Sequence, residues 1–248
     1  MNTKEVDWFE SWFDSPYYHL LYQHRDEIEA LNFINTLIDK LNPSKGSTML
    51  DLACGKGRHS KALADKGFDV TGVDLSENSI NSAKQFESDT LQFYTHDMRN
   101  PLRSNYFDYT FNFFTSFGYF NTEREHINAL KSMSSSLKET GILVIDFLNT
   151  SLAELNNSSD EMKNIEEFEF HISKRATDQH IFKTIKVYNE EKKMLINFEE
   201  RVARFNLEGF KNLFNKSGLI LFDVYGDHSL NSFDELTSPR LILFAKKK

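Results

Sequence analysis

The hydrophobic pattern changes its period along the chain, and each period predicts a different kind of element. Residues 26–41 place Ile28, Leu31, Ile34, Ile38 and Leu41 at helical spacing, and Asn42-Pro43 ends the helix. The stretch before it, WFESWFDSPYYHLLYQHR, is aromatic and predicts helix broken at Ser15-Pro16. From residue 48 short apolar runs alternate with amphipathic ones. Strands are predicted at 48–52, 69–73, 91–94, 107–114 and 141–147. Helices are predicted from the first turn to Lys66, from a Ser76 cap to Gln85, and from Thr122 to about Leu137. The run GILVIDF reads as a buried central strand. Such alternation predicts a parallel sheet with right-handed crossovers.

Between 168 and 205 the period becomes two. Phe168, Phe170 and Ile172 alternate, then Ile181, Lys183, Ile185 and Val187, then Met194, Ile196 and Phe198. Turn-like breaks at 176–179 and 189–192 separate them, which predicts two or three antiparallel strands inserted after the fifth strand. Asn206 then caps a helix over 207–216, and strands at 219–225 and 241–245 flank a long loop. The expected division is a helical cap (1–45), a Rossmann-like α/β domain (46–150 with 206–248), and an inserted antiparallel subdomain (151–205) serving as lid or dimer surface.

The first strand runs into LDLACGKGRHS. Gly55 and Gly57 let the backbone pass close to a ligand, and the following helix points N–H groups at it. The third glycine of a dinucleotide turn is here Ser60, which argues against a nicotinamide or flavin. Asp51 argues further. A carboxylate at this mouth repels a pyrophosphate and suits an ammonium group, directly or through water. A ligand with a nucleoside at one end and an amino acid at the other fits, and S-adenosylmethionine is such a ligand. Asp74 ends the second strand, where an acid accepts bonds from ribose hydroxyls. In HDMR, after the third strand, Asp97 can take the adenine amino group and Met98 can pack on the purine.

LDLACGKGRHS, GVDLS and HDMR resemble the successive nucleoside-binding motifs of class I S-adenosylmethionine-dependent methyltransferases, most closely the small-molecule type with a G-x-G-R-H turn. FNFFTSFGYF, GILVIDFLN, SGLILFDVYGD and SPRLILFAKK resemble that family's later strands. The resemblance implies a seven-stranded sheet with helices on both faces, order 3-2-1-4-5-7-6, strand seven reversed. It implies that Asp51, Ala53, Gly55 and Gly57 hold the methionine end, that Asp74 takes the ribose with Leu75 beside the adenine, and that Asp97 and Met98 take the base. Phe113 or Phe114 then lies against the sulfur side, and S-adenosylhomocysteine is the product. Tyr18, Tyr22 and Arg25 precede the first long helix; Tyr18 and Arg25 are expected at the cofactor, the guanidinium either pairing with its carboxylate or forming a surface ion pair. Gly118 and Tyr119, after strand four, and Asn149, after strand five, are expected to shape the substrate pocket. A poor nucleophile needs a base, for which His59 is the candidate, with His19 and His228 next if their segments fold over the site.

Composition narrows the partners. The net charge of -8 disfavours nucleic acid and anionic membrane. The single cysteine, Cys54, allows no internal disulfide and suggests a reducing, cytoplasmic setting, where it reads as buried filler. The N-terminus lacks signal-peptide character, and no apolar run has membrane-spanning length. No histidine or cysteine spacing suggests a metal site. The 23 Phe can furnish a dry pocket. The expected function is methyl transfer to a small molecule. The rivals are an RNA or protein methyltransferase, a non-catalytic cofactor-binding protein and, disfavoured by Asp51 and Ser60, a nicotinamide oxidoreductase.

Overall fold

The computed structural model describes residues 8–22, 27–152 and 158–248. Five strands run parallel: β1 (Thr48–Leu52), β2 (Asp69–Asp74), β3 (Leu91–Thr95), β4 (Phe107–Asn112) and β5 (Leu137–Leu148). The chain then builds a second sheet from β6 (Ser159–Ile165), β7 (Phe168–Ala176), β8 (His180–Tyr188) and β9 (Met194–Ala203). It returns to the first sheet with β10 (Leu219–Tyr225) and β11 (Arg240–Lys247), β11 lying antiparallel between β5 and β10. The seven-stranded order is β3-β2-β1-β4-β5-β11-β10, as the sequence motifs implied.

Alternation along β1 sends Met49 to one face and Leu50 to the other. The Met49 face is covered by α3 (Glu27–Leu41), α4 (Arg58–Ala64) and α5 (Glu77–Ala83), through Phe33, Leu37, Leu63 and Ile80. The Leu50 face is covered by α6 (Glu123–Ser136) and α7 (Leu207–Lys216), through Leu130, Met133, Phe210 and Phe214. The helix starts are set locally. Ser76 accepts from Ser79 N at 2.9 Å, Asn206 accepts from Gly209 N at 2.9 Å, and Thr122 forms a reciprocal capping box with Glu125.

Three boundaries differ from the sequence pattern. The inserted sheet has four antiparallel strands, not two or three. β6 was missed because it is an edge strand exposed on both faces from Ser159 to Asn164, so it carries no apolar alternation. β4 stops at Asn112 because Phe114 and Thr115 turn into the left-handed region, with φ of 55° and 60°. β5 begins at Leu137; its pairing with β4 jumps from Phe107–Leu137 to Tyr109–Ile142, so the residues between bulge.

The second sheet has its own core. Phe170, Ile172, Ile185 and Val187 pack with Trp12 of α1 (Trp8–Phe13) and Leu21 of α2 (Pro16–Leu21). Trp12 is fully buried and stacks on Phe198 at 4.8 Å with an interplanar angle of 12°. Ser15 caps α2, and Pro16 follows at its first turn.

Two glycines make room for one ring under the first turn. A Cβ on Gly72 of β2 would meet the Phe93 ring at 2.6 Å and Ser60 Oγ at 2.8 Å. A Cβ on Gly57, which also needs its φ of 83°, would meet the same ring at 2.6 Å. Gly72→Ala is expected to destabilise the fold by about 1–3 kcal/mol through overpacking. Phe93→Leu in that background should recover part of the loss in urea unfolding. A Gly72→Ala chain as stable as the parent would contradict this packing.

Candidate active site

A cleft of about 870 Å³ opens at the carboxyl ends of β1, β2 and β4 and is roofed by α1, α2 and Glu200 of β9. Open parallel sheets bind ligands at this edge. The turn after β1 forms its floor. Ala53 adopts φ 60° and Gly55 φ 55°, and a Cβ on Gly55 would meet nothing within 4 Å. Gly55 N donates to Asp74 Oδ2 at 2.8 Å, and Ser76 N donates to Asp74 Oδ1 at 2.9 Å. The two backbone bonds aim the Asp74 carboxylate at the cleft wall, where burial raises it above the ordinary carboxylate range. Leu75 lies beside it. Burial pushes the Cys54 thiol well above its usual value, which suits packing and not reaction.

Asp51 sits beneath this floor, not on the cleft wall. It is 0% exposed; Ser60 Oγ donates to its Oδ2 at 2.6 Å, and its Oδ1 has no partner. Burial pushes its carboxyl up to about 7, with Ser60 pulling the other way and Asp74 adding to the rise. A second buried acceptor is unmatched next door. Asn112 of β4 donates through Nδ2 to Leu52 O at 3.0 Å, while its Oδ1 has no partner. The two acceptors lie on opposite faces of the sheet, Asp51 with Met49 and Phe111, Asn112 with Leu52, and each alone suits an N–H donor. Gly57 lies off the wall as well, because it faces Phe93 and Ala83.

At the end of β3, Asp97 and Met98 line the cleft. Asp97 is gripped by Arg99, whose Nε and Nη2 reach Oδ2 at 2.9 and 2.7 Å, and Arg99 continues to Glu125 at 3.1 Å. Asp14, between the two N-terminal helices, accepts from Ser76 Oγ and from Asn78 Nδ2, the latter at 2.7 Å. That contact ties α1 and α2 to the start of α5, above the Asp74 edge.

Beyond β4, Phe113 and Phe114 line the cleft, and the buried His59 ring packs on them at 4.6 and 5.3 Å. Phe114 is positioned from below: its N donates to Asp146 Oδ2 at 2.9 Å. Asp146, fully buried on β5, also accepts from Arg240 Nε at 2.7 Å, and His228 Nε2 lies 3.2 Å away. Burial alone would raise this carboxyl, but the Arg240 guanidinium and His228 hold it down at about 2.

The sequence-predicted residues therefore separate. Tyr18, Ala53, Gly55, His59, Asp74, Leu75, Asp97, Met98, Phe113, Phe114 and Tyr119 share one cavity wall. His19 joins them, its imidazole held below its usual value by burial and by Lys56. Arg25 lies outside the described residues. Gly118 and Asn149 are off the wall. Gly118 packs on Phe147 and Val202 and accepts from Ala203 N at 2.7 Å, joining β9 to the main body. Asn149 is buried and donates to Glu235 O and Ser238 O at 3.0 and 2.8 Å, pinning the β10–β11 loop. His228 stacks on Phe33 at 4.3 Å and serves Asp146. Sequence reasoning missed Glu200 and Arg240, which both line the cleft. The period-two register of β9, continued past Phe198, puts Glu200 on the face of Phe198 and Val202, which is the signal of its inward position.

A methyltransferase domain model matches residues 43–200, well over half of the chain. The chain belongs to the methyltransferase domain family. Within this family it is 41% identical over 107 residues to the putative methyltransferase YqeM of Bacillus subtilis, a match covering 42% of this chain and 43% of that one. It is 29% identical over 131 residues to the dTDP-3-amino-3,4,6-trideoxy-alpha-D-glucopyranose N,N-dimethyltransferase of Streptomyces venezuelae, covering 52% of this chain and 54% of that one. The chain thus spans about half the length of the curated relatives it matches. Its fold matches the crystal structure of an S-adenosylmethionine-dependent methyltransferase from Clostridium acetobutylicum with a TM-score of 0.75 at 21% identity, over 93% of this chain and 96% of that one.

The Asp146 cluster makes an acid-stability prediction. Its folded value lies below the unfolded one, so its stabilisation is complete above about pH 4 and is lost as pH falls through about 2. The size is about 2 kcal/mol. Asp146→Asn should remove that pH-dependent component in urea titrations between these pH values. An unchanged slope would show that Arg240 does not hold the carboxylate.

Proposed function

We propose that the chain binds S-adenosylmethionine along the edge of the main sheet and transfers its methyl group to a small molecule held against α1, α2 and β9. The observation that carries the reading is Asp51: a sealed carboxyl with an unmatched oxygen, under the turn where a dinucleotide would place phosphate. An ammonium group satisfies that oxygen; a pyrophosphate worsens its position. In this reading Asp74 accepts from the ribose hydroxyls, Leu75 and Met98 flank the adenine, and Asp97 marks its amino edge. When bound, the cofactor supplies an electrophilic methyl on a sulfonium. The chain's own part is to align the acceptor and keep water out, which the rings of Phe13, Tyr18, Phe113, Phe114 and Tyr119 on the wall suit. His59 is assigned as proton acceptor for a hydroxyl; an amine or thiolate needs none.

The family membership supports the reaction class, and the aminosugar N,N-dimethyltransferase among the relatives supports a small acceptor. The net charge of -8 supports neither RNA nor DNA. From the sequence, 46–150 and 206–248 are expected to bind the cofactor, 1–45 to form a helical cap and 151–205 a lid or dimer surface; we propose in addition that the cap and the inserted sheet hold the acceptor. The bare edge of β6 is the candidate seam for a homodimer. A reducing, cytoplasmic setting is supported by the lone buried Cys54.

Calorimetry with S-adenosylhomocysteine tests the cofactor half. Micromolar binding is expected, and Asp74→Ala should weaken it by about 1–3 kcal/mol, the loss for unpaired hydroxyls. No binding at millimolar ligand would overturn the proposal. A second readout follows from Asp51. Its carboxyl sits at about 7 without ligand, so it is protonated at pH 6, and an incoming ammonium favours the ionised form. Binding at pH 6 should therefore release close to about one proton, read from heats in buffers of different ionisation enthalpy. The release should vanish above about pH 8 and in Asp51→Asn. Proton-neutral binding at pH 6 would remove Asp51 from the ammonium site.

A further inference from the structure

The roof of the cleft holds one acidic side chain that the proposed transfer does not use. Among the described residues, Glu200 of β9 is the only acid that α1, α2, the loop after β4 and the second sheet contribute to the wall. Its side chain is 11% exposed, and Glu200 faces the cleft. Trp12 Nε1 donates to Oε1 at 2.6 Å, and Tyr22 Oη donates to the same oxygen at 3.3 Å. Lys183, opposite Glu200 across β8 and β9, reaches Tyr22 Oη with its Nζ and makes a long ion pair with Oε2 at 3.9 Å, without a hydrogen bond to it. A carboxylate has about four lone-pair sites. Two neutral donors on one oxygen fix its orientation and leave Oε2 with accepting capacity.

A cluster of aromatic rings lines the same cavity. Phe13 meets Tyr18 at 5.0 Å and Tyr119 at 5.1 Å, both edge to face, and Tyr18 meets Tyr22 at 4.9 Å. All four rings line the cavity, and the Tyr22 ring already carries Lys183 Nζ at 4.5 Å from its centroid. Ring faces with one oriented carboxylate attract cations and offer a neutral hydroxyl far less. Of the basic side chains on the wall, Arg240 is bound to Asp146 and Thr115, at 2.7 and 3.0 Å, while Arg58 and Lys61 stand on α4 and Lys56 on the first turn, where it acts on His19. We infer that the acceptor carries a protonated amine, which takes the open side of Glu200 Oε2, shared with Lys183, along the wall of Phe13, Tyr18 and Tyr119. The inference rests on the proposed reading, because it takes this roof as the acceptor's side.

The test uses the full chain saturated with S-adenosylhomocysteine and, in parallel, the unliganded chain. Each is titrated at pH 7 with benzylamine, which is protonated there, and with benzyl alcohol, which has nearly the same shape and no charge. Benzylammonium is expected to bind at least about tenfold more tightly. Glu200→Gln keeps an oxygen for Trp12 and Tyr22 but removes the charge. It should bring the preference close to unity while leaving the affinity for S-adenosylhomocysteine unchanged. Equal affinities, or no benzylammonium binding, in the parent chain would overturn the inference whether or not the variant folds. A preference that survives Glu200→Gln would move the anchor elsewhere and overturn it too. Failure to bind S-adenosylhomocysteine counts against the cofactor reading alone, since the amine comparison is also read on the unliganded chain.

Discussion

A carboxyl sealed under the first turn sets the terms for the rest of the cleft. Asp51 has no exposed surface, one hydrogen bond and one unmatched oxygen. Keeping a polar group in that state costs free energy unless a partner arrives. The chain limits the cost with Ser60, which stands where a dinucleotide turn has its third glycine. That glycine serves close packing of helix on strand. Here the space comes from the strand instead: Gly72 of β2 leaves the room that Ser60 Oγ and the Phe93 ring occupy. Serine for glycine on α4 and glycine on β2 are thus two halves of one packing solution.

The other wall depends on a six-residue helix. α1 is too short to be stable alone. Trp12 gives it tertiary support: its ring stacks on Phe198 and its Nε1 binds Glu200. Two residues on, Asp14 reaches Ser76 and Asn78 at the start of α5. The same short segment therefore touches the edge that carries Asp74 and the sheet that carries Glu200. The antiparallel sheet is joined to the main body again at Gly118 and Ala203. With ties at both ends, the roof and the floor of the cleft hold a fixed relation.

Most of this was legible in the chain because the signals are local. Strand–helix alternation, the caps at Ser76, Thr122 and Asn206, and the turn at Gly55 each act within a few residues. What stayed hidden is long-range. β6 has no buried face to write into its sequence. Asn149 reads as a rim residue and His228 as a candidate base, but their partners lie in the β10–β11 loop and on β5, which spacing cannot reveal. Gly118 was assigned to the pocket from its loop, when the side-chain volume around it belongs to Phe147 and Val202. Arg240 begins an apolar strand, and only the register of β11 on β5, opposite Leu148, brings it to Asp146.

That last pair explains the strain around the floor. Ala53, Phe114 and Thr115 hold left-handed backbone without being glycine, each at a cost of about 1 kcal/mol. Phe114 and Thr115 are kept there by Asp146, which accepts from Phe114 N through its carboxylate and from Thr115 N through its carbonyl at 2.8 Å. Arg240 completes the frame by binding both Asp146 and Thr115 Oγ1. Charge-assisted bonds of this kind stabilise by about 1.5–3 kcal/mol, enough to offset the two strained residues. The ion pair acts on the cleft through position: it sets where the Phe114 ring lies, and His59 packs on that ring. A buried pair on β5 and β11 thereby fixes the imidazole on the opposite side of β4, and the floor is ordered before any ligand enters.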